Sequence, residues 1–168
     1  MKRELRSAFN SRQYMLSRDF EIYYYSDLHF HAVKGHAHDY YEFYLFLEGD
    51  VTMVIGGKKY PLHAGDMILI PPGVSHHALI PDSDIPYRRF IFWLSQDYVT
   101  SLMKLSPDYV YLMQQAASTQ RYLYHFNGEQ FNSVQNRVLK LLEETHSNRY
   151  GKSAAMSLDV NDLVLSIN

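Results

Sequence analysis

His36 and His38 stand two residues apart, Glu42 follows four residues later, and His76 lies further along the chain. Imidazole is the commonest metal-binding side chain, and its proton equilibrium lies nearest neutrality. Residues an even number apart share one face of a β-strand, so His36, His38 and Glu42 point the same way on an unbroken strand. Three imidazoles and a carboxylate, brought together, form a donor set that zinc, nickel, manganese or iron accepts. Without an ion the same groups would form a hydrogen-bonded cluster, with Glu42 serving His38 or His76, because a buried imidazole must find partners. Tyr44 shares the parity of Glu42, and a sugar or acid ligand could partner its hydroxyl. The candidate ligand-binding residues are thus His36, His38, Glu42, Tyr44 and His76, and the candidate metal ligands are His36, His38, Glu42 and His76. His29 and His31 read as strand surface, His77 as facing away from His76, and His63, His125 and His146 as solvated.

The elements that must position these groups read as strands first and helices afterwards. Runs at 20–25, 42–47, 51–55, 58–62, 67–70, 76–80 and 87–94 are rich in β-branched and aromatic residues and are broken by Gly and Pro. Gly49-Asp50 and Gly56-Gly57 read as hairpin turns, and Pro71-Pro72-Gly73 ends the strand before it. Many short strands at regular spacing predict a sandwich or small barrel. Both faces of the strand at 42–47 are apolar, so both are expected to be covered. Helices are predicted over 97–105, 108–117, 130–146 and 157–167, with Ser106-Pro107 at the start of the second. Residues 121–126 suit one more strand. Residues 1–18 are polar with five basic side chains and read as a solvated arm with a helical turn over 7–15.

Composition closes off other classes. The 168 residues are 46% hydrophobic and 20% charged, an ordinary balance for one globular domain. A net charge of −2 gives no general footprint for nucleic acid. No apolar stretch is long enough for a membrane span, and the start shows no secretory signal. The absence of cysteine removes disulfides and thiolate chemistry and is compatible with a cytoplasmic location.

The spacing of His36, His38, Glu42 and Gly49, followed by Gly65, Pro71, Gly73 and His76, resembles the two motifs of the cupin superfamily. Phe30 stands at the opening glycine of the first motif, and Ile80 at the closing asparagine of the second. The resemblance covers roughly residues 20–95. It implies a mainly β, double-stranded β-helix (jelly-roll) barrel followed by C-terminal α-helices. It also places the cupin metal-ligand positions on His36, His38, Glu42 and His76. The segments Gly35-His36-Ala37-His38-Asp39-Tyr40-Tyr41-Glu42, Pro71-Pro72-Gly73-Val74-Ser75-His76 and Tyr87-Arg88-Arg89-Phe90-Ile91-Phe92 are similar to the N-terminal domain of AraC-type transcription regulators. In that family the barrel senses a small molecule, outer helices form the dimer, and a separate C-terminal module binds DNA.

The resemblance implies an arm at 1–19, a barrel at 20–95 and a helical dimerisation region at 96–168. The chain is expected to end before a DNA-binding module. Expected partners are a small-molecule effector such as a sugar, and a second copy of the chain; DNA would be reached only through the missing module. The rival reading is a metal-dependent cupin enzyme, an isomerase or dioxygenase. A third is a sugar-binding module without regulation.

Overall fold

In the computed structural model, residues 5–28, 34–81 and 84–168 are described. His29 and His31, with Phe30, lie outside them. The β-prone runs form β1 (Phe20–Asp27), β2 (Tyr41–Glu48), β3 (Thr52–Ile55), β4 (Lys58–Pro61), β5 (Asp66–Ile70), β6 (His76–Leu79) and β7 (Tyr87–Leu94). Helices α1 (Gln96–Leu105) and α2 (Tyr111–Thr119) follow, then β8 (Leu123–His125), α3 (Gly128–Thr145) and α4 (Lys152–Ser166). Strands β1-β7-β2-β5-β8 make a five-stranded sheet and β4-β3-β6 a three-stranded one. All the pairings are antiparallel. The outer strand β8 comes from beyond the 20–95 span.

The expected burial of both faces of β2 is observed. Tyr44 and Phe46 join the aromatic core between the sheets, with Tyr25, Met53, Tyr87 and Trp93. Phe43 and Leu45 join a second core, where Phe92 and Leu69 meet Val138 and Leu141 of α3 and Val160 and Leu163 of α4. The barrel is therefore filled by rings and sealed outside by helices, as sheet and helix faces must be.

Several local expectations are corrected. Gly49-Asp50 is a crossover and not a hairpin turn, because β2 pairs with β5 and β7 while β3 pairs with β4 and β6. Gly49 has φ +134°, and a Cβ there would lie 3.3 Å from the Tyr87 backbone, so close passage needs glycine. Residues 7–15 hold no helical turn. They run along the barrel instead, with Ser7 N–H donating to the Tyr24 carbonyl at 2.7 Å. The helix expected over 108–117 is split into a 3₁₀ turn, Pro107–Val110, and α2. Ser106 caps the turn, its hydroxyl accepting from Asp108 N–H, as the Ser-Pro pair predicts.

Helix α3 starts two residues before the expected 130, at a capping box. Asn127 accepts from Gln130 N–H at 2.9 Å, and the Gln130 side chain accepts from Asn127 N–H at 3.2 Å. Helix α4 starts five residues before the expected 157. Leu158, expected on its apolar stripe, is 70% exposed, whereas Leu163 is 1% exposed. Leu163→Ala is expected to cost about 3 kcal/mol of stability and Leu163→Asp to prevent folding, whereas Leu158→Asp should leave the chain folded with a cooperative melt. Thermal denaturation followed by circular dichroism checks the contrast.

Candidate metal and effector site

The two spaced motifs are held together by backbone. His36 and His76 form an isolated antiparallel bridge, with N–H to carbonyl distances of 3.2 and 2.9 Å. Gly73 N–H donates to the His38 carbonyl at 2.8 Å. Gly73 has φ +80°, a turn conformation that a side chain disfavours. This turn therefore delivers His76 to the first motif. Glu42 enters from β2, inside the barrel and buried.

The four side chains converge. Ligand atoms of His36, His38 and His76 all lie within 4.8 Å of one another. Glu42 Oε2 lies 3.1 Å from Nε2 of His38 and 3.1 Å from Nε2 of His76. Each imidazole Nδ1 faces a backbone carbonyl: Lys34 at 3.0 Å, Tyr40 at 2.9 Å and Val74 at 3.0 Å. A carbonyl only accepts, so all three Nδ1 atoms carry the proton. In the neutral rings every Nε2 then presents a lone pair, two of them toward a carboxylate oxygen. Acceptors facing acceptors need a cation between them, either a proton or a metal ion. Outer carbonyl partners that fix the Nδ1–H tautomer are the usual support of metal-binding histidines. The donor set thus fits a divalent ion.

Electrostatics follow from the same contacts. Burial opposes the charge on Glu42, but its bonds to His38 and His76 outweigh that and hold its carboxyl well below the usual range. Burial opposes the His76 cation too, yet the bond and charge of Glu42 raise its pKa. Burial lowers that of His36, with the neighbouring His76 adding to the effect.

The cluster opens on a cavity of about 100 Å³. His36, Glu42, Tyr44 and His76 line it, while His38 sits behind, stacked on Tyr40 at 3.9 Å. The Tyr44 hydroxyl is buried and has no hydrogen-bond partner among the described residues. His77, expected to face outward, also borders the cavity. Its short edge strand runs beside Gly35, where even a Cβ would come within 3.4 Å of the His77 ring. His63 and His125 are largely exposed as expected, although His125 Nδ1 reaches Asp66 at 2.7 Å. His146 is held by the Leu142 carbonyl at 2.8 Å.

Sequence reasoning missed four groups. Trp93 Nε1–H donates to Glu42 Oε1 at 3.1 Å. Arg12 comes from the arm expected to be solvated. It pairs with Glu21 at 2.7 Å, donates to Tyr23 at 2.7 Å and lies 5.4 Å over the Trp93 ring. Glu21 also accepts from the backbone N–H of Leu16 and Ser17, and these bonds with Arg12 outweigh burial and lower its pKa. Arg89 is 2% exposed, pairs with Asp27 at 2.7 Å and lies 4.0 Å over the Tyr87 ring. The available signal was the strand parity that puts Arg89, Ile91 and Trp93 on one face of β7.

Among solved structures, the chain is similar to a Cupin 2 conserved barrel domain protein from Salinispora arenicola, at 22% identity over 56% of this chain and 76% of that one, TM-score 0.42. It is similar to a cupin protein from Bacteroides fragilis at 23% identity over 48% and 69% of the two chains, TM-score 0.41. A further similarity is to salicylate 1,2-dioxygenase from Pseudoaminobacter salicylatoxidans, at 21% identity over 45% of this chain and 21% of that one, TM-score 0.40. No match was found among curated proteins. The profile of the AraC-like ligand binding domain matches residues 21–150, and with a mainly β barrel, trailing helices and a lined cavity, the chain belongs to that family.

Proposed function

We propose that the chain is the effector-sensing and dimerisation part of an AraC-type transcription regulator. One observation carries the reading: the N-terminal arm closes the cavity that the histidine cluster opens on. Phe9, Asn10, Ser11, Arg12 and Gln13 all line that cavity. Arg12 bridges from the arm to Glu21 and Tyr23 of β1 and lies over Trp93, the partner of Glu42. An effector with different affinities for the docked and released arm would shift the population between them. In this reading residues 1–19 are the arm, 20–95 the barrel and 96–168 the dimerisation region. The protein works in the cytoplasm, and DNA contact in the full regulator is made by a C-terminal module.

His36, His38, Glu42 and His76 would hold one divalent ion, zinc, nickel, manganese or iron. Bound there, it would supply a Lewis-acidic centre to an oxygen-bearing effector. Glu42 Oε2 would join it while Trp93 fixes Oε1. Tyr44 would meet the effector through its hydroxyl.

The dimer surface in this reading is the outer side of the helices. Leu158 and Leu165 are exposed and seven residues apart on α4, hence on one face. Asn168 ties the end of α4 to the turn before α2, bonding Leu112 N–H and the Tyr109 carbonyl. Leu105 and Tyr111, on either side of that turn, are exposed as well.

The test is a thermal-shift screen of sugars and small acids, followed by limited trypsin digestion. An effector is expected to raise the melting temperature and slow cleavage of the arm at Arg6 and Arg18, and Arg12→Ala should abolish that shielding. Light scattering should report a dimer that Leu158→Asp disrupts. The rival cupin enzyme rests on the converging imidazoles. Turnover of a sugar phosphate or catechol by the metal-loaded chain, with no effect of any ligand on the arm, would replace the sensor with that reading.

A further inference from the structure

The Tyr44 hydroxyl carries the sensing reading further, to the class of effector. It is buried without a partner among the described residues, in the cavity wall. Strand register puts Ile68 and Ile91 on either side of Tyr44, and the Tyr87 ring lies 6.2 Å from its own. A buried hydroxyl in such surroundings is nearly always bonded, so a guest is the natural partner.

The other polar groups nearby are already engaged. Glu42 accepts from Trp93 on Oε1 and faces two imidazoles on Oε2. An ammonium guest would have to compete with all three for it. Arg12 and Arg89 line the same cavity, each already paired with a carboxylate, Glu21 and Asp27. The imidazole lone pairs need a cation between them, which makes that end attractive to an oxygen anion. Met53 and Ile91 offer apolar contact to a short tail.

The cavity, lined by the arm and by strands of both sheets, has room for a guest of several non-hydrogen atoms.

Resting on the sensing reading, we propose that the cavity takes a short-chain carboxylate, with one oxygen at the His36–His76 end and the other accepting from Tyr44. Trp93 is the only tryptophan and bonds Glu42, so its fluorescence reports the site.

Acetate and propionate are titrated into the full chain, zinc-loaded and metal-free. A saturable fluorescence change is expected. Tyr44→Phe should weaken binding by about tenfold or more, while zinc affinity and melting temperature stay as in the parent. Equal affinity in parent and Tyr44→Phe overturns the proposal, and so does failure of either acid to saturate. Ribose or glucose binding more tightly than both acids also overturns it, but leaves the sensor reading standing. That reading fails separately, if no compound in the thermal-shift screen acts on the arm.

Discussion

Zinc added to the metal-depleted chain is expected to bind with a single equivalent and to raise the melting temperature. A free concentration a hundredfold above Kd stabilises by about 2.7 kcal/mol, which for a chain of this length is roughly 5–10 °C. The ligands would be Nε2 of His36, His38 and His76 with Oε2 of Glu42, the atoms that now face one another. His38→Ala should weaken binding by more than about a hundredfold, since losing merely an outer partner of a metal ligand costs 10–100-fold, roughly. His77→Ala should leave the affinity unchanged, because its ring lies at the cavity border and outside the converging set. Calorimetric titration checks both. A chain that takes up no zinc, and melts at the same temperature with chelator, leaves the protonated cluster as the answer.

The site was legible to the extent that its information was local. The unbroken strand that parity assumed does not form, since Glu42 alone lies on β2, His36 is an isolated bridge residue and a bend at Asp39 and Tyr40 follows His38. The short spacing still brings the three together, and the spacing of Gly65, Pro71, Gly73 and His76 marked the turn that brings His76 in. The bridge between His36 and His76 and the bond from Gly73 to His38 are the physical content of that spacing. Trp93 was not legible because its bond to Glu42 spans 51 residues and depends on the register of β2 against β7. Gly49 looked like a hairpin turn because turn chemistry does not reveal which sheet the next strand joins. Residues 7–15 read as a helical turn, but they form none, and their order comes from contacts with the barrel through Ser7, Phe9 and Arg12. Leu158 and Leu163 carry the same kind of side chain, and helical spacing alone did not tell which of them α3 would cover.

The pH dependence of stability should reverse sign between the metal-free and zinc-loaded forms. In the metal-free form, the pKa of Glu42 is depressed by His38 and His76. Its contribution is present above the ordinary carboxyl value of about 4.3 and is lost as pH falls through the lower folded value. The pKa of His76 is raised. Its contribution is complete below about pH 6.5 and disappears as pH rises through the higher folded value. Burial depresses the pKa of His36, so its effect is confined to pH below about 6.5, where folding resists its protonation. Above that point His76 is the member of the cluster whose raised pKa acts, and the metal-free protein should lose stability with rising pH. Zinc requires the imidazoles without protons on Nε2, so the loaded protein should gain stability over the same range. Denaturant melts between about pH 6.5 and 8, with chelator or with zinc, give the two slopes. His76→Gln should flatten the chelator slope. A metal-free protein that grows more stable with pH as the parent does when loaded would show that the Glu42–His76 pair does not hold a proton.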